Sequence, residues 1–228
     1  MGVENGKRVL VVIDDTYEEK KGKNTFGVGK FWDHKTKRYI WANNIVTSAI
    51  QCGKHFIPYK TEIYVKEDDV KKWNVKFRKK HEIAYENIIK PLKVDKHAKV
   101  YVVVDAAYFN KEFIDNCRSK RYHVCGRIKN NAVVLQDDGS EINIIQYFEK
   151  IISEKERKIT ITVRGKEKTY YAVEDILNLS ANVKLLLLEQ KSICLPGKIF
   201  LEKIVSVLEN ILRNAGKLIG RKIQKLKN

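Results

Sequence analysis

At 228 residues the chain is long enough for one large α/β domain with a full-sized core. Its 45 lysines and arginines against 28 aspartates and glutamates leave a formal charge of +17, which argues against an ordinary metabolic enzyme and for a polyanionic partner such as nucleic acid. No run approaches the roughly 18 apolar residues of a membrane-spanning helix, and the polar start before Arg8 reads as no signal peptide. Four scattered cysteines with no Cys-x-x-Cys pair read as reduced thiols of an intracellular protein.

In chain order, the first element is the apolar run Arg8–Ile13, which ends at Asp14 and Asp15 and has the composition of a strand buried on both faces. A polar loop follows, with Gly22 available for a positive-φ turn. Thr25–Trp32, Arg38–Ile50 and Phe56–Val65 then read as an antiparallel meander, with Pro58 at an edge or bend. Glu67, Asp68 and Asp69 open a helix whose apolar face carries Val70, Trp73, Phe77, Ala84 and Ile88, and Pro91 ends it. The second apolar run, Lys99–Val104, stops at Asp105. It leads to a helix over 111–120 with Asn110 as N-cap, and then to a strand over 122–128.

Beyond residue 130 the texture changes to hairpins. Asp137-Asp138-Gly139-Ser140 turns one, and Arg164-Gly165-Lys166 turns another. Val183–Leu188 reads as a further central strand, and the tail from Lys198 as an amphipathic, basic helix. The expected organisation is a catalytic core over 1–130, a β-rich insertion over 131–182, and a last core strand with a basic C-terminal helix over 183–228.

Strand, meander, helix, strand ending in Asp, helix, strand is the order that a ribonuclease-H-like mixed sheet with flanking helices requires. Buried strands ending at Asp15 and Asp105 deliver carboxylates to one sheet edge, where they can share Mg²⁺ or Mn²⁺ beside a phosphodiester. Strand alternation sends Asp14 and Asp15 to opposite sides, so only one of them faces such a site. Lys20, Lys21, Lys23 and Lys30, with Phe31 and Trp32 nearby, form a basic stretch with interleaved aromatics suited to phosphates and bases.

The stretch Val12-Ile13-Asp14-Asp15-Thr16, with Lys20-Lys21-Gly22-Lys23-Asn24-Thr25-Phe26-Gly27-Val28-Gly29 after it, resembles the first-carboxylate segment of DDE-type transposases of bacterial and archaeal insertion sequences. Val103-Val104-Asp105-Ala106-Ala107-Tyr108-Phe109-Asn110 resembles their second. Residues 122–130 are similar to the strand that follows it, and 133–172 to the β insertion that many of them carry.

The resemblance implies Asp15 and Asp105 as catalytic carboxylates and metal ligands, with Asp14 in reserve. It also implies metal-dependent cleavage and strand transfer at transposon ends, DNA as partner, homo-oligomers on DNA, no membrane, and a cytoplasmic, nucleoid-associated location. Arg127 and Lys129 join Lys20, Lys21, Lys23 and Lys30 as candidate DNA contacts.

The chain departs from the family's pattern at both ends. It begins seven residues before the first strand, where the family usually has a helical DNA-binding region. The family's Tyr-x₂-Arg-x₃-Glu-x₆-Lys signature cannot follow Leu188, since the last tyrosine is Tyr171. Glu202 and Glu209, in the predicted tail helix, are the favoured third carboxylates over Glu189. The expectation is therefore a transposase core, complete or truncated. Its alternatives are another ribonuclease-H-like structure-specific nuclease and a catalytically inactive DNA-binding fragment.

Overall fold

The computed structural model describes residues 8–189, apart from 54, 127, 128, 130, 137, 156, 164, 165 and 179–181. Its main body is a six-stranded mixed sheet built around β1 (Arg8–Glu19). On one side of β1 lies an antiparallel meander: β2 (Gly29–Asp33), β3 (Arg38–Cys52) and β4 (His55–Tyr64). Both β2 and β4 pair with β3, along the edge that β1 leaves free. On the other side run β5 (Lys99–Val104) and β6 (His123–Gly126), each parallel to its neighbour. A meander beside two parallel strands is the ribonuclease-H-like arrangement that the sequence predicts.

Val9, Val11 and Ile13 of β1 are buried with Val100, Val102 and Val104 of β5 under Ile83, Ala84, Ile88, Phe113 and Cys117. Val12 and Val103 face the other way, with Phe56 and Cys125 packed against them. Both faces of β1 are therefore apolar up to Ile13, which is what a run of β-branched residues in a central strand achieves. Pro58 sits in β4, which among the described residues pairs only with β3, beside a register shift between Thr47 and Ala49. That placement suits a residue with no N–H to give the ladder.

The helix predicted from Glu67 to Pro91 is not continuous. A short 3₁₀ turn (Glu67–Asp69) leads into α1 (Val70–Trp73), which stops at Asn74 in the left-handed region with φ 51°. Helix α2 (Lys80–Ile83) restarts after Lys79, whose N–H donates to Glu82 Oε2 at 2.7 Å, and runs on as a π-helical turn over Ala84–Ile89. Asn is among the residues that tolerate the left-handed conformation, so a helix stop was available within an otherwise apolar periodicity. Helix α3 (Lys111–Ser119) starts where expected, with Asn110 Oδ1 accepting from Phe113 N–H at 3.0 Å. The left-handed glycine in the loop before β2 is Gly27 (φ 73°) rather than Gly22.

Past the sheet, β7 (Val133–Leu135) and β8 (Glu141–Asn143) form the hairpin expected around Gly139. Helix α4 (Ile144–Lys155) follows, an element absent from the sequence reading, and Asn143 Oδ1 accepts from Ile145 N–H at its start. Strands β9 (Arg157–Val163), β10 (Lys166–Asn178) and β11 (Asn182–Glu189) make a separate three-stranded antiparallel sheet. The run Val183–Leu188 is thus a strand, but it pairs with β10 and not with the six-stranded sheet. The predicted tail helix with Glu202 and Glu209, and the candidate DNA contact Arg127, lie outside the described residues.

Candidate functional site

The parallel register of β1 and β5 ends at Ile13 opposite Val104. The next residues along the two strands are Asp14 and Asp105, so these two come side by side at the carboxyl edge of the sheet. Paired positions on adjacent strands send their side chains to the same face. Continued by one residue, that register sets Asp14 and Asp105 on one face, while alternation along β1 turns Asp15 to the helix-covered face with Val11 and Ile13.

On that helix-covered face Asp15 is fully engaged. Its Oδ2 accepts from Lys80 Nζ at 2.7 Å and from Asn44 Nδ2 at 2.8 Å, and its Oδ1 accepts from the Tyr108 hydroxyl at 3.1 Å. The side chains of Asp15 and Lys80 are only 16% and 23% exposed. Lys80 begins α2, Asn44 comes from β3 next to β1, and Tyr108 lies in the turn after Asp105. Tyr108 is wholly buried, and burial first, then the charges of Asp15 and Asp14, raises its hydroxyl pKa far above the ordinary value. Its O–H is a permanent donor.

Asp14 has the opposite surroundings. Burial pushes its carboxyl up to about 6, and the negative charges of Asp15 and Asp105 add to the rise. The Asp15 backbone N–H and the Lys80 charge pull the other way without cancelling it. Its backbone carbonyl accepts from the Thr47 hydroxyl at 3.4 Å, across the β1–β3 pair. Asp105 itself is exposed, and its carbonyl accepts from Tyr108 N–H at 3.0 Å, closing the turn that follows β5.

Asp14 and Asp105 fit a hard divalent cation: both offer oxygen donors, and Asp14 is a carboxylate crowded by like charge in a partly desolvated place. A second group able to hold a metal is His81, Glu82 and Glu112, whose ligand atoms lie within 4.8 Å of one another. There Glu82 caps Lys79 N–H at the start of α2, and His81 Nε2, 3.3 Å from Glu112 Oε2, ties α2 to α3.

The predicted basic residues divide. Lys20 is paired with Glu18 at 2.8 Å. Lys21, Lys23, Lys30 and Lys129 are exposed. Phe31 is buried with Ile40 and Ala42, whereas Trp32 is open to solvent.

Sequence reasoning missed Lys80, Tyr108, Asn44 and Gly126. Tyr108 carried a signal, three residues past Asp105 inside the matched segment; Asn44 and Lys80 carried none. Gly126 sits opposite Val104, and a Cβ there would stand 2.5 Å from the ring of Phe109. Its lack of a side chain lets the turn after Asp105 close against β6.

Residues 3–142 match the family described as DDE superfamily endonuclease. Among solved structures, the chain is similar to a piggyBac transposase in a synaptic complex with hairpin DNA, studied by cryo-electron microscopy. The TM-score is 0.41 at 12% identity, over 81% of this chain and 34% of that one. The chain thus spans about a third of that transposase's length. No curated protein matches it. Among the described residues no helix is long and apolar enough to cross a membrane.

Proposed function

The chain belongs to the DDE superfamily endonuclease family, and from that premise we propose that it cleaves DNA phosphodiesters with a divalent cation held between Asp14 and Asp105. The observation that carries this reading is the shared edge: Asp14 and Asp105 directly follow the last pair of the parallel β1–β5 register, and Asp105 repels the Asp14 charge. Asp15, first in line from the resemblance, becomes a positioning residue, because Lys80, Asn44 and Tyr108 already take up its oxygens.

Mg²⁺ or Mn²⁺ bound there would supply charge neutralisation at the phosphate and a more acidic attacking water. The chain's own groups fix the donors. Tyr108 N–H holds the carbonyl of Asp105, and Tyr108 O–H ties the same turn to Asp15. Lys80 neutralises Asp15 from the helix-covered side, which leaves the other face to the Asp14–Asp105 pair. Exposed Lys21, Lys23, Lys30 and Lys129 supply cations for the DNA backbone. Glu202 or Glu209 would complete the donor set. Joining the cut 3′ end to a second DNA, as in transposition, is the reaction expected of such a core when it works on paired ends, as a homo-oligomer on DNA.

The test is nicking of supercoiled plasmid by the purified chain with Mg²⁺ or Mn²⁺, beside Asp14→Asn, Asp15→Asn, Asp105→Asn, Glu202→Gln and Glu209→Gln. Loss of nicking in Asp14→Asn and Asp105→Asn, with no more than about a tenfold reduction in Asp15→Asn, supports the assignment. Loss confined to Asp15→Asn overturns it. Sequencing the products distinguishes joined ends from plain hydrolysis, which is the structure-specific nuclease reading.

A further inference from the structure

The two-stranded end of the meander carries its aromatics on the same side as Asp14. Lys30 pairs with Trp41, and Trp32 with Tyr39, across β2 and β3. Along β3 the positions Tyr39, Trp41 and Thr47 alternate onto one face, and Thr47 is the partner of Asp14 on β1. Trp32 is 41% exposed and Tyr39 63% exposed, and their rings meet edge to face at 5.1 Å. An ammonium stands by each of the larger rings of β3: Lys30 Nζ is 4.8 Å from the Tyr39 centroid and Lys23 Nζ 4.6 Å from that of Trp41.

Large rings left in water cost apolar exposure, and a soluble chain rarely clusters them without a partner. A basic rim argues against a second copy of this +17 chain and for a polyanion. Bases inside a duplex are already stacked on one another and hide their faces from a side chain. Unpaired bases do not, and aromatic rings take them whatever their sequence. Stacking of a base outweighs an exposed cation–π contact, so an arriving base can displace Lys30 or Lys23 and release its ammonium to the adjacent phosphate.

We propose that Trp32, Tyr39 and Trp41, with Lys23 and Lys30, form a stacking platform for unpaired nucleotides of the strand whose phosphate lies at Asp14 and Asp105. The inference rests on the nuclease reading above and adds the substrate's form, DNA with locally unpaired bases. Six to eight residues of β3 separate Trp41 and Tyr39 from Thr47, or roughly 20–26 Å at the rise of an extended strand. At about 3.4 Å per nucleotide, the bases engaged would lie some 6–8 positions from the phosphate at the carboxylates.

The experiment measures binding in EDTA, where no cleavage occurs, by the full chain. The probes are a blunt duplex and the same duplex with a single-stranded thymidine tail of about 8 nucleotides, within the site sizes of single-strand binders. Tyr39→Ala and Trp32→Ala are expected to weaken binding to the tailed probe about tenfold and to the blunt duplex less than twofold. Tryptophan fluorescence of the parent is expected to be quenched by the tailed probe alone. Tyr39 is the more exposed of the two, so its variant keeps the test valid should Trp32→Ala fold poorly. Equal affinity of the parent for both probes, or equal losses on both in the variants, overturns the platform while leaving the nuclease reading intact. Failure of the parent to bind either probe overturns both.

Discussion

Asp14 and Asp15 are neighbours in the chain and live in opposite chemistry. Asp15 faces the helices, where one ammonium, one amide and one hydroxyl satisfy its oxygens. Asp14 faces away from them, beside Asp105, and its carboxyl is pushed up to about 6 by burial and by two other acids. A closed polar cluster fixes the ends of β1 and β5; on the other side of β1 stands a half-buried carboxyl whose charge is only partly compensated. One face of the sheet edge thus holds a satisfied carboxylate, and β1 turns to the other a carboxyl whose charge the fold disfavours. Proteins commonly keep strain of this second kind where they work.

The largest way to break the comparison is through activity. Asp14→Asn or Asp105→Asn is expected to reduce metal-dependent nicking by about 10²–10³-fold or more, the scale of losing one preorganised charge-stabilising group. Asp15→Asn keeps the shape but turns one acceptor oxygen into an N–H₂ that faces a donor, and it acts on the site through its neighbours, so about a tenfold loss is expected, as for outer supports of a metal site. Initial nicking rates at saturating Mg²⁺ measure both. Equal losses at Asp14 and Asp15 would erase the distinction between the faces.

Stability should move in opposite directions at the two aspartates. Asp15→Ala leaves the Lys80 ammonium and the buried Tyr108 hydroxyl without their acceptor. Breaking such a pair costs about 3 kcal/mol, the low end for buried pairs because both side chains keep some exposure. Asp14→Asn instead removes a charge that the fold disfavours, so it is expected to raise the metal-free unfolding free energy. Urea melts at neutral pH, in EDTA, check both signs.

The pH dependence sharpens the same point. Asp14 has its pKa raised from 3.8 to about 6 in the folded chain, so folding favours its protonated form. The stabilisation from that proton is complete below about pH 4 and is lost as pH rises through about 6. A rise of that size corresponds to roughly 2–3 kcal/mol at ~1.36 kcal/mol per pH unit. Metal-free melts of the parent and of Asp14→Asn should therefore converge near pH 4 and separate by pH 7. Mg²⁺ needs the carboxylate, so its binding should weaken below about pH 6. A parallel pair of curves across this range would show that Asp14 titrates as an ordinary surface acid.

Much of this arrangement is readable in the residues, because local composition is strong where both faces are buried. The valine-rich runs before Asp14 and Asp105, the meander, Asn110 as a cap and the hairpin at Gly139 all announce themselves by local pattern. The choice between Asp14 and Asp15 does not. Alternation shows that only one can face Asp105, but which one depends on the pairing of Ile13 with Val104, a long-range register that no local pattern encodes. Lys80 and Asn44 reach Asp15 from 65 and 29 residues away, so their roles are equally invisible. The break at Asn74 was hidden inside a helical periodicity that Trp73, Phe77 and Ala84 maintain across it. Helix α4 was masked by its neighbours, since the hairpins on both sides made the whole stretch read as strands.

The smallest expected effect tests how the two faces communicate. Tyr108 is the link: its backbone N–H holds the Asp105 carbonyl and its hydroxyl holds Asp15. Tyr108→Phe keeps the ring, the packing and the backbone bond, and deletes only the hydroxyl. Asp15 would still have Lys80 and Asn44, so the loss in stability should be about 1 kcal/mol, the ordinary worth of one hydrogen bond. The turn carrying Asp105 would lose its tether to β1 without losing its shape. Nicking should therefore fall less than in Asp15→Asn, and the apparent affinity for Mg²⁺ should fall with it. Such a coupled, modest change identifies Tyr108 as a positioning residue. A collapse of activity as deep as that of Asp105→Asn, with Mg²⁺ affinity unchanged, would instead put the hydroxyl in contact with the DNA and move part of the closed cluster into the working face.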